Sequence, residues 1–171
     1  KGKDIVVIGG GDTAMDCVRT AVRQNAKSVT CLYRRDKVNM PGSQREVQNA
    51  EEEGVNFQRL SAPHALLGDG SVQAVRARRI HLGQPDETGR QVPQIIENSD
   101  FDVDADLVIK ALGFDPEDLP IMFDYPELGV SKWGTIQIDW KTMMTSSPGV
   151  FAAGDIVRGA SLVVWGCLLY T

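Results

Sequence analysis

Cysteine, histidine and excess positive charge are all scarce in this chain, and each shortage removes a class of function. The three cysteines, Cys17, Cys31 and Cys167, are scattered and odd in number, with no C-x-x-C among them. Such a set makes no disulfide framework, dithiol redox centre or zinc knuckle; it predicts buried thiols in a reducing compartment such as the cytoplasm. His64 and His81 lack metal-ligand partners at useful spacing and read as structural or surface residues. With a net charge of −5 the chain has no basic field for general binding of nucleic acid or of an anionic membrane. No apolar run approaches the roughly 20 residues that span a bilayer. The opening Lys1-Gly2-Lys3-Asp4 is not the apolar stretch of a secretory leader.

What is present describes a soluble globular protein. Of 171 residues, 42% are hydrophobic and 24% charged, enough apolar surface for a real core. The length suits one large domain, or one domain plus part of another. The chain begins without Met and runs almost directly into a strand, so it is expected to be a piece of a longer protein.

The first strong pattern is Ile5-Val6-Val7-Ile8 followed by Gly9-Gly10-Gly11-Asp12-Thr13-Ala14. A β-branched run predicts a buried parallel strand, the glycines a turn, and Ala14, Val18, Ala21 and Val22 one face of a helix. Asp12 stands where an N-cap would, and Asn25 where a C-cap would. That order is what a dinucleotide site requires. Gly9 lets the chain turn sharply, Gly11 lets backbone approach a pyrophosphate, and Ala14 keeps helix and strand close. The helix N-terminus then offers free N–H groups and partial positive charge to the phosphates. Ser28–Tyr33, rich in β-formers, completes a β-α-β unit.

At the end of that second strand an acidic residue would contact the ribose 2′-hydroxyl of NAD, and arginine the 2′-phosphate of NADP. The residues are Tyr33-Arg34-Arg35-Asp36, so the guanidinium groups of Arg34 and Arg35 select NADPH. Asp36 lies one or two residues past the ribose position, where it can orient an arginine. An ordinary solvated charge cluster is the bland alternative.

Further on, Pro41–Glu46 predicts a helix start, with Ser43 and Glu46 at capping-box spacing. Glu51-Glu52-Glu53 reads as a solvated face without chemistry, and Gly54 as the C′ residue. Val55–Phe57 predicts a third strand. Between Ala65 and Ala111 strands dominate: Val72–Leu82, Val92–Ile96 and the buried run Asp106–Ala111, with turns at Gly68–Ser71 and Asp86–Gly89. Arg76, Arg78 and Arg79 are expected on a solvent face. After a Pro-rich connection at Asp115–Leu128, strands are predicted at Gly134–Asp139 and within Pro148–Asp155, with Trp133 and Trp140 as packing residues. Cys17 reads as a core residue. Gly154-Asp155 puts one carboxylate at a strand tip, able to accept from sugar-alcohol hydroxyls or to cap a following helix.

Four motifs in order carry a resemblance: Val7–Asp16, Tyr33-Arg34-Arg35, Asp106–Phe114 and Pro148–Asp155. Together they resemble the two-dinucleotide-binding flavoprotein oxidoreductases, and within them the small (beta) subunit family of NADPH-dependent glutamate synthase, over Lys1 to about Trp165. The resemblance implies an α/β fold: a Rossmann-like three-layer dinucleotide-binding domain with an antiparallel β-meander (1–113), followed by the incomplete C-terminal part of an FAD-binding domain (114–171). It implies that Gly9, Gly10, Gly11, Asp12, Thr13 and Ala14 hold the NADPH pyrophosphate and Arg34 and Arg35 its 2′-phosphate. Ala111, Leu112 and Gly113 would lie beside the nicotinamide half. Asp155 with Gly154 would bind the FAD ribityl chain, and backbone after Gly159 would approach the flavin ring.

The implied activity is hydride transfer from NADPH to FAD, by positioning rather than by a catalytic side chain, with electrons passing through 4Fe-4S clusters to a large glutamate synthase subunit. The first FAD fingerprint and the cluster cysteines are absent from this chain, so as a piece it is expected to be inactive and to hold FAD only in part. Gly166–Thr171 departs from the family pattern. Dihydropyrimidine dehydrogenase-like and transhydrogenase-like modules, or a nucleotide-binding piece without turnover, are the alternatives. A thioredoxin-reductase-like enzyme would need a cysteine pair that is not there.

Overall fold

The parallel sheet follows directly from the apolar runs. A computed structural model describes residues 1–85, 87, 89 and 91–160, and the chain forms two compact units, Lys1–Leu112 and Gly113–Thr171. In the first, β1 (Asp4–Ile8), α1 (Asp12–Arg23), β2 (Ser28–Tyr33), α2 (Gln44–Glu52) and β3 (Asn56–Arg59) are followed by β4 (Ser61–Leu67), β5 (Ala74–Pro85), β6 (Gln91–Asp104) and β7 (Leu107–Lys110). A four-stranded parallel sheet has the order β3-β2-β1-β7, and a three-stranded antiparallel sheet the order β4-β5-β6.

Strand β1 is buried on both faces, which is why it reads as a continuous apolar run. Alternate side chains of β1 and β2 face opposite ways. Ile5, Val7, Val29, Cys31 and Tyr33 pack with Met15 and Val18 of α1 and with Val47 and Ala50 of α2. Val6, Ile8 and Leu32 pack instead with Val75, Ala77 and Ala105 at the meander. Helices, parallel sheet and antiparallel sheet therefore form three layers within Lys1–Leu112.

The caps of α1 each lie one residue before the sequence positions, whereas α2 begins after Ser43 and ends before Gly54 as its sequence suggests. Asn25 (φ 59°) is the residue after the C-cap Gln24, and Ala26 N–H donates to Ala21 O. Gly54 (φ 89°) ends α2 likewise, with Val55 N–H donating to Ala50 O. Asp12 is not an N-cap: Gly11, in extended conformation, takes that place without a side-chain bond, and Asp12 is the first helical residue. Ser43 is the N-cap of α2, but the capping box does not form. Glu46 turns to Arg19 of α1, a charged partner, rather than back to its own helix.

The three glutamates are not an idle face. Glu51 bridges Lys37 and Arg59, and Glu53 bridges Arg19 and Arg23, tying α2 to α1 and to the segment after β2. Only Glu52 is left on the surface, accepting from Gln48 one turn earlier. Arg76 pairs with Asp102 and Arg78 with Asp100 across the β5–β6 ladder, while the Arg79 guanidinium covers Phe101. His64 is a surface residue bonded to Asp100 at 2.9 Å.

In the second unit the predicted strands shrink to isolated bridges, Val130↔Ile136, Ile138↔Thr145 and Met144↔Phe151. Two one-turn helices, α3 (Leu119–Met122) and α4 (Asp155–Arg158), complete it among the described residues. Its buried cluster is Leu128, Ile136, Ala152 and Val157. Trp133 and Trp140 do not pack inside: Trp133 is 71% exposed with Lys132 over its ring, and Trp140 is exposed with the Arg158 guanidinium 4.8 Å from its ring centre. Among the described residues of this unit no paired strand or long helix offers these rings a face to enter. The readings of Trp165, Cys167 and Gly166–Thr171 lie outside the described residues, as do Asp86 and Thr88 of the predicted turn.

Candidate functional site

Sheet order decides where a ligand can sit. From β1 the chain runs outward to β2 and β3 on one side, then returns as β7 on the other. In an open parallel sheet the crevice lies at the carboxyl ends of the two strands where this direction reverses. Here those ends are Gly9–Gly11, after β1, and Ala111 and Leu112, after β7. Ala111 N–H donates to Ile8 O at 2.8 Å, which locks the two ends together.

The three glycines answer to different neighbours. A Cβ on Gly9 would overlap the Ala111 carbonyl, and one on Gly10 would fall 2.5 Å from the Tyr33 ring. On Gly11 it would meet only Pro41 Cγ, at 4.0 Å. Packing therefore excludes side chains at Gly9 and Gly10, whereas Gly11 faces open space that a ligand could use. Ala14 is fully buried between α1 and the sheet. Met15 N–H closes the first helical bond, to Gly11 O, and no side chain among the described residues caps the amides before it. Asp12 and Thr13 are exposed there.

Arg34 and Arg35 follow β2, the neighbour of β1. Arg34 is exposed. Arg35 is partly buried, and its Nε is a buried donor with no acceptor among the described residues. Such a donor is costly unless something arrives to accept from it. Asp36 orients neither arginine. Its Oδ1 accepts from both the backbone N–H and Nδ2 of Asn39, at 2.9 and 2.8 Å, and so turns the chain after the arginines.

Sequence reasoning missed the segment Asn39–Ser43 as part of this site. Tyr33 donates from its hydroxyl to Asn39 O at 2.7 Å. Gly42 N–H donates to Gly10 O at 3.0 Å, and Ser43 N–H to Asp12 Oδ1 at 2.8 Å. The signal available was Met40-Pro41-Gly42, a buried residue and a turn pair close after the arginines, read only as a helix start.

Leu112 is 68% exposed, and Gly113, the first residue of the second unit, has φ 87°. In that unit Gly154 (φ 78°) is the N-cap of α4 and Asp155 its exposed first residue. Cys17 is half-buried against the helix-side core and Cys31 buried, both as free thiols. Cys31 Sγ–H donates to Gly9 O, and burial pushes its pKa up to about 12, so it is no nucleophile.

The family model described as pyridine nucleotide-disulphide oxidoreductase matches residues 1–165. The chain belongs to that family. Among curated relatives, the glutamate synthase [NADPH] small chain of Azospirillum brasilense is 70% identical over 164 residues, covering 96% of this chain and 34% of that protein. A putative glutamate synthase [NADPH] small chain of Cereibacter sphaeroides is 64% identical over 164 residues, covering 96% and 40%. The chain thus spans between a third and two fifths of the length of these relatives. Among solved structures, Lactococcus lactis thioredoxin reductase superposes with a TM-score of 0.76 at 26% identity, covering 99% of this chain and 50% of that one. In this oxidoreductase family member no helix of the described residues is long and apolar enough to cross a membrane. No group of metal-binding side chains occurs among them either.

Proposed function

We propose that residues 1–113 form the NADPH-binding domain of a flavoprotein oxidoreductase of the glutamate synthase small-chain type, and that 114–171 are the C-terminal portion of its FAD-binding domain. The observation that carries this reading is the switch point: the uncapped start of α1 and open Gly11 lie at the end of β1, with the unpaired Arg35 donor after neighbouring β2. The names of the two curated relatives, both NADPH enzymes, support the choice of nucleotide.

In this reading the backbone of Gly9, Gly10, Gly11, Asp12, Thr13 and Ala14 holds the pyrophosphate at the positive end of α1. Arg34 and Arg35 hold the 2′-phosphate, and Ala111, Leu112 and Gly113 flank the nicotinamide half. Gly154 and Asp155 contribute this chain's share of an FAD site. When bound, NADPH supplies the hydride that a flavin accepts; this chain's residues position and neutralise the nucleotide and transfer no proton. The 4Fe-4S clusters, the remaining FAD contacts and the large glutamate synthase subunit as partner belong to the longer protein, in the cytoplasm.

Titration of the 171-residue chain with NADPH, NADH and FAD tests this, with NADPH expected to bind more tightly than NADH. Loss of two charge-assisted contacts in Arg34→Ala/Arg35→Ala should weaken NADPH by about 100-fold while leaving NADH nearly unchanged. Equal losses for both nucleotides, or a wild-type preference for NADH, would overturn the assignment.

A further inference from the structure

We propose that Asp12 is a positioning residue whose carboxylate latches the segment Asn39–Ser43 across the glycine turn, making that segment the second wall of the nucleotide groove. This rests on the NADPH reading above. A carboxylate beside a phosphate site is electrostatically unfavourable, so its presence in the first turn of α1 asks for another task. The geometry supplies one, because Asp12 Oδ1 accepts the Ser43 amide at 2.8 Å. That amide belongs to the N-cap of α2, where no side chain caps the helix.

Three further contacts make the segment a fixed wall. Gly42 N–H donates to Gly10 O, which puts the segment directly over the turn. The Tyr33 ring lies under Gly10 while its hydroxyl donates to Asn39 O, so one side chain supports the turn and the segment together. At Gly42 a Cβ would sit 3.1 Å from Gly10 O and 3.2 Å from Gly11 C, tighter than ordinary contact, so a side chain there would press the segment away from the turn by a few tenths of an ångström. Asp36 holds the front of the segment through Asn39. Arg34 and Arg35, which the NADPH reading assigns to the 2′-phosphate, precede this segment in the chain, between the end of β2 and Asn39.

Comparing Asp12→Ala with Asp12→Asn separates the latch from simple charge. Both remove the negative charge, and only asparagine keeps an oxygen acceptor for the Ser43 amide. The latch predicts about three- to tenfold weaker NADPH binding in Asp12→Ala than in Asp12→Asn, the size of one lost hydrogen bond at an exposed donor. It also predicts faster hydrogen exchange at the Ser43 and Gly42 amides in the free Asp12→Ala chain, and not in Asp12→Asn. Gly42→Ala, which leaves Asp12 intact, should weaken NADPH in the same direction. Equal exchange and equal affinity in the two Asp12 variants would overturn the latch while leaving the NADPH reading standing. If the Asp12 variants differ in exchange but the wild-type chain takes no NADPH, the nucleotide reading falls, and with it the role given to the wall.

Discussion

Residues 1–112 and the described residues of 113–160 are both well supplied with apolar side chains and use them in opposite ways. In the first unit Val6, Val7, Met15, Val18 and Val47 are completely enclosed between helices, parallel sheet and meander. In the second, Phe114 is 91% exposed, and Ile121, Phe123, Trp133 and Trp140 also face outward around a four-residue buried cluster. The difference is not composition but repetition. A strand or helix presents its apolar residues at a fixed period, so that one face can be covered by the next layer. Isolated bridges and single helical turns have no such face.

The strongest test of this contrast is a charge in the middle of β1. Val7→Asp buries a carboxylate with no partner and should abolish the cooperative transition of the first unit, followed by far-UV circular dichroism. Retention of that transition would mean that the parallel sheet is not the core. Next, Met15→Ala should cost about 2–5 kcal/mol in denaturant unfolding, whereas Trp133→Ala should stay within about 0.5 kcal/mol. Similar losses at the two positions would erase the distinction between enclosed and exposed apolar groups.

Smaller effects come from ionisation in the first unit. Burial raises the Cys31 thiol from 9.0 to about 12, so the folded state disfavours the thiolate. A raised pKa contributes stability that is complete below the unfolded value and is lost as pH rises from 9 towards 12. Cys31→Ala should therefore flatten part of the alkaline limb of the pH–stability curve, and a thiol reagent near neutral pH should label Cys17 well before Cys31. An equally steep limb in the variant would place Cys31 in a more open site.

The smallest change is expected at acid pH. Hydrogen bonds from Lys37 and then Arg59 lower the Glu51 carboxyl, and one from Arg19 lowers Glu53. Lowered carboxyls contribute stability above their ordinary value of 4.5, and lose it as pH falls through the depressed folded values. Glu51→Gln with Glu53→Gln should shift the acid transition only slightly, because both pairs are partly exposed and screened by solvent.

Legibility followed the same divide. Strands β1 and β2, helix α1 and the C-terminal ends of both helices were readable because local periodicity and local turn chemistry decide them. The N-cap of α1 and the capping box of α2 differ from the sequence reading, because Asp12 and Glu46 take partners on other elements, Ser43 and Arg19, that no local pattern reveals. Glu51 and Glu53 looked idle for the same reason. The strand predicted at Gly134–Asp139 has the right alternation, but among the described residues it pairs only through single bridges, so pattern alone did not make a sheet.

By itself, the sequence determined the glycine turn, the helix after it, the arginine pair at the end of β2 and the apolar strands, since each depends on residues adjacent along the chain. Only the tertiary structure decided what surrounds the turn. It brought Ala111 against Gly9, Tyr33 under Gly10 and Ser43 to Asp12, over separations no local rule spans. Distant contacts are set by layer packing and by the need to satisfy each polar group, and these are properties of the whole fold.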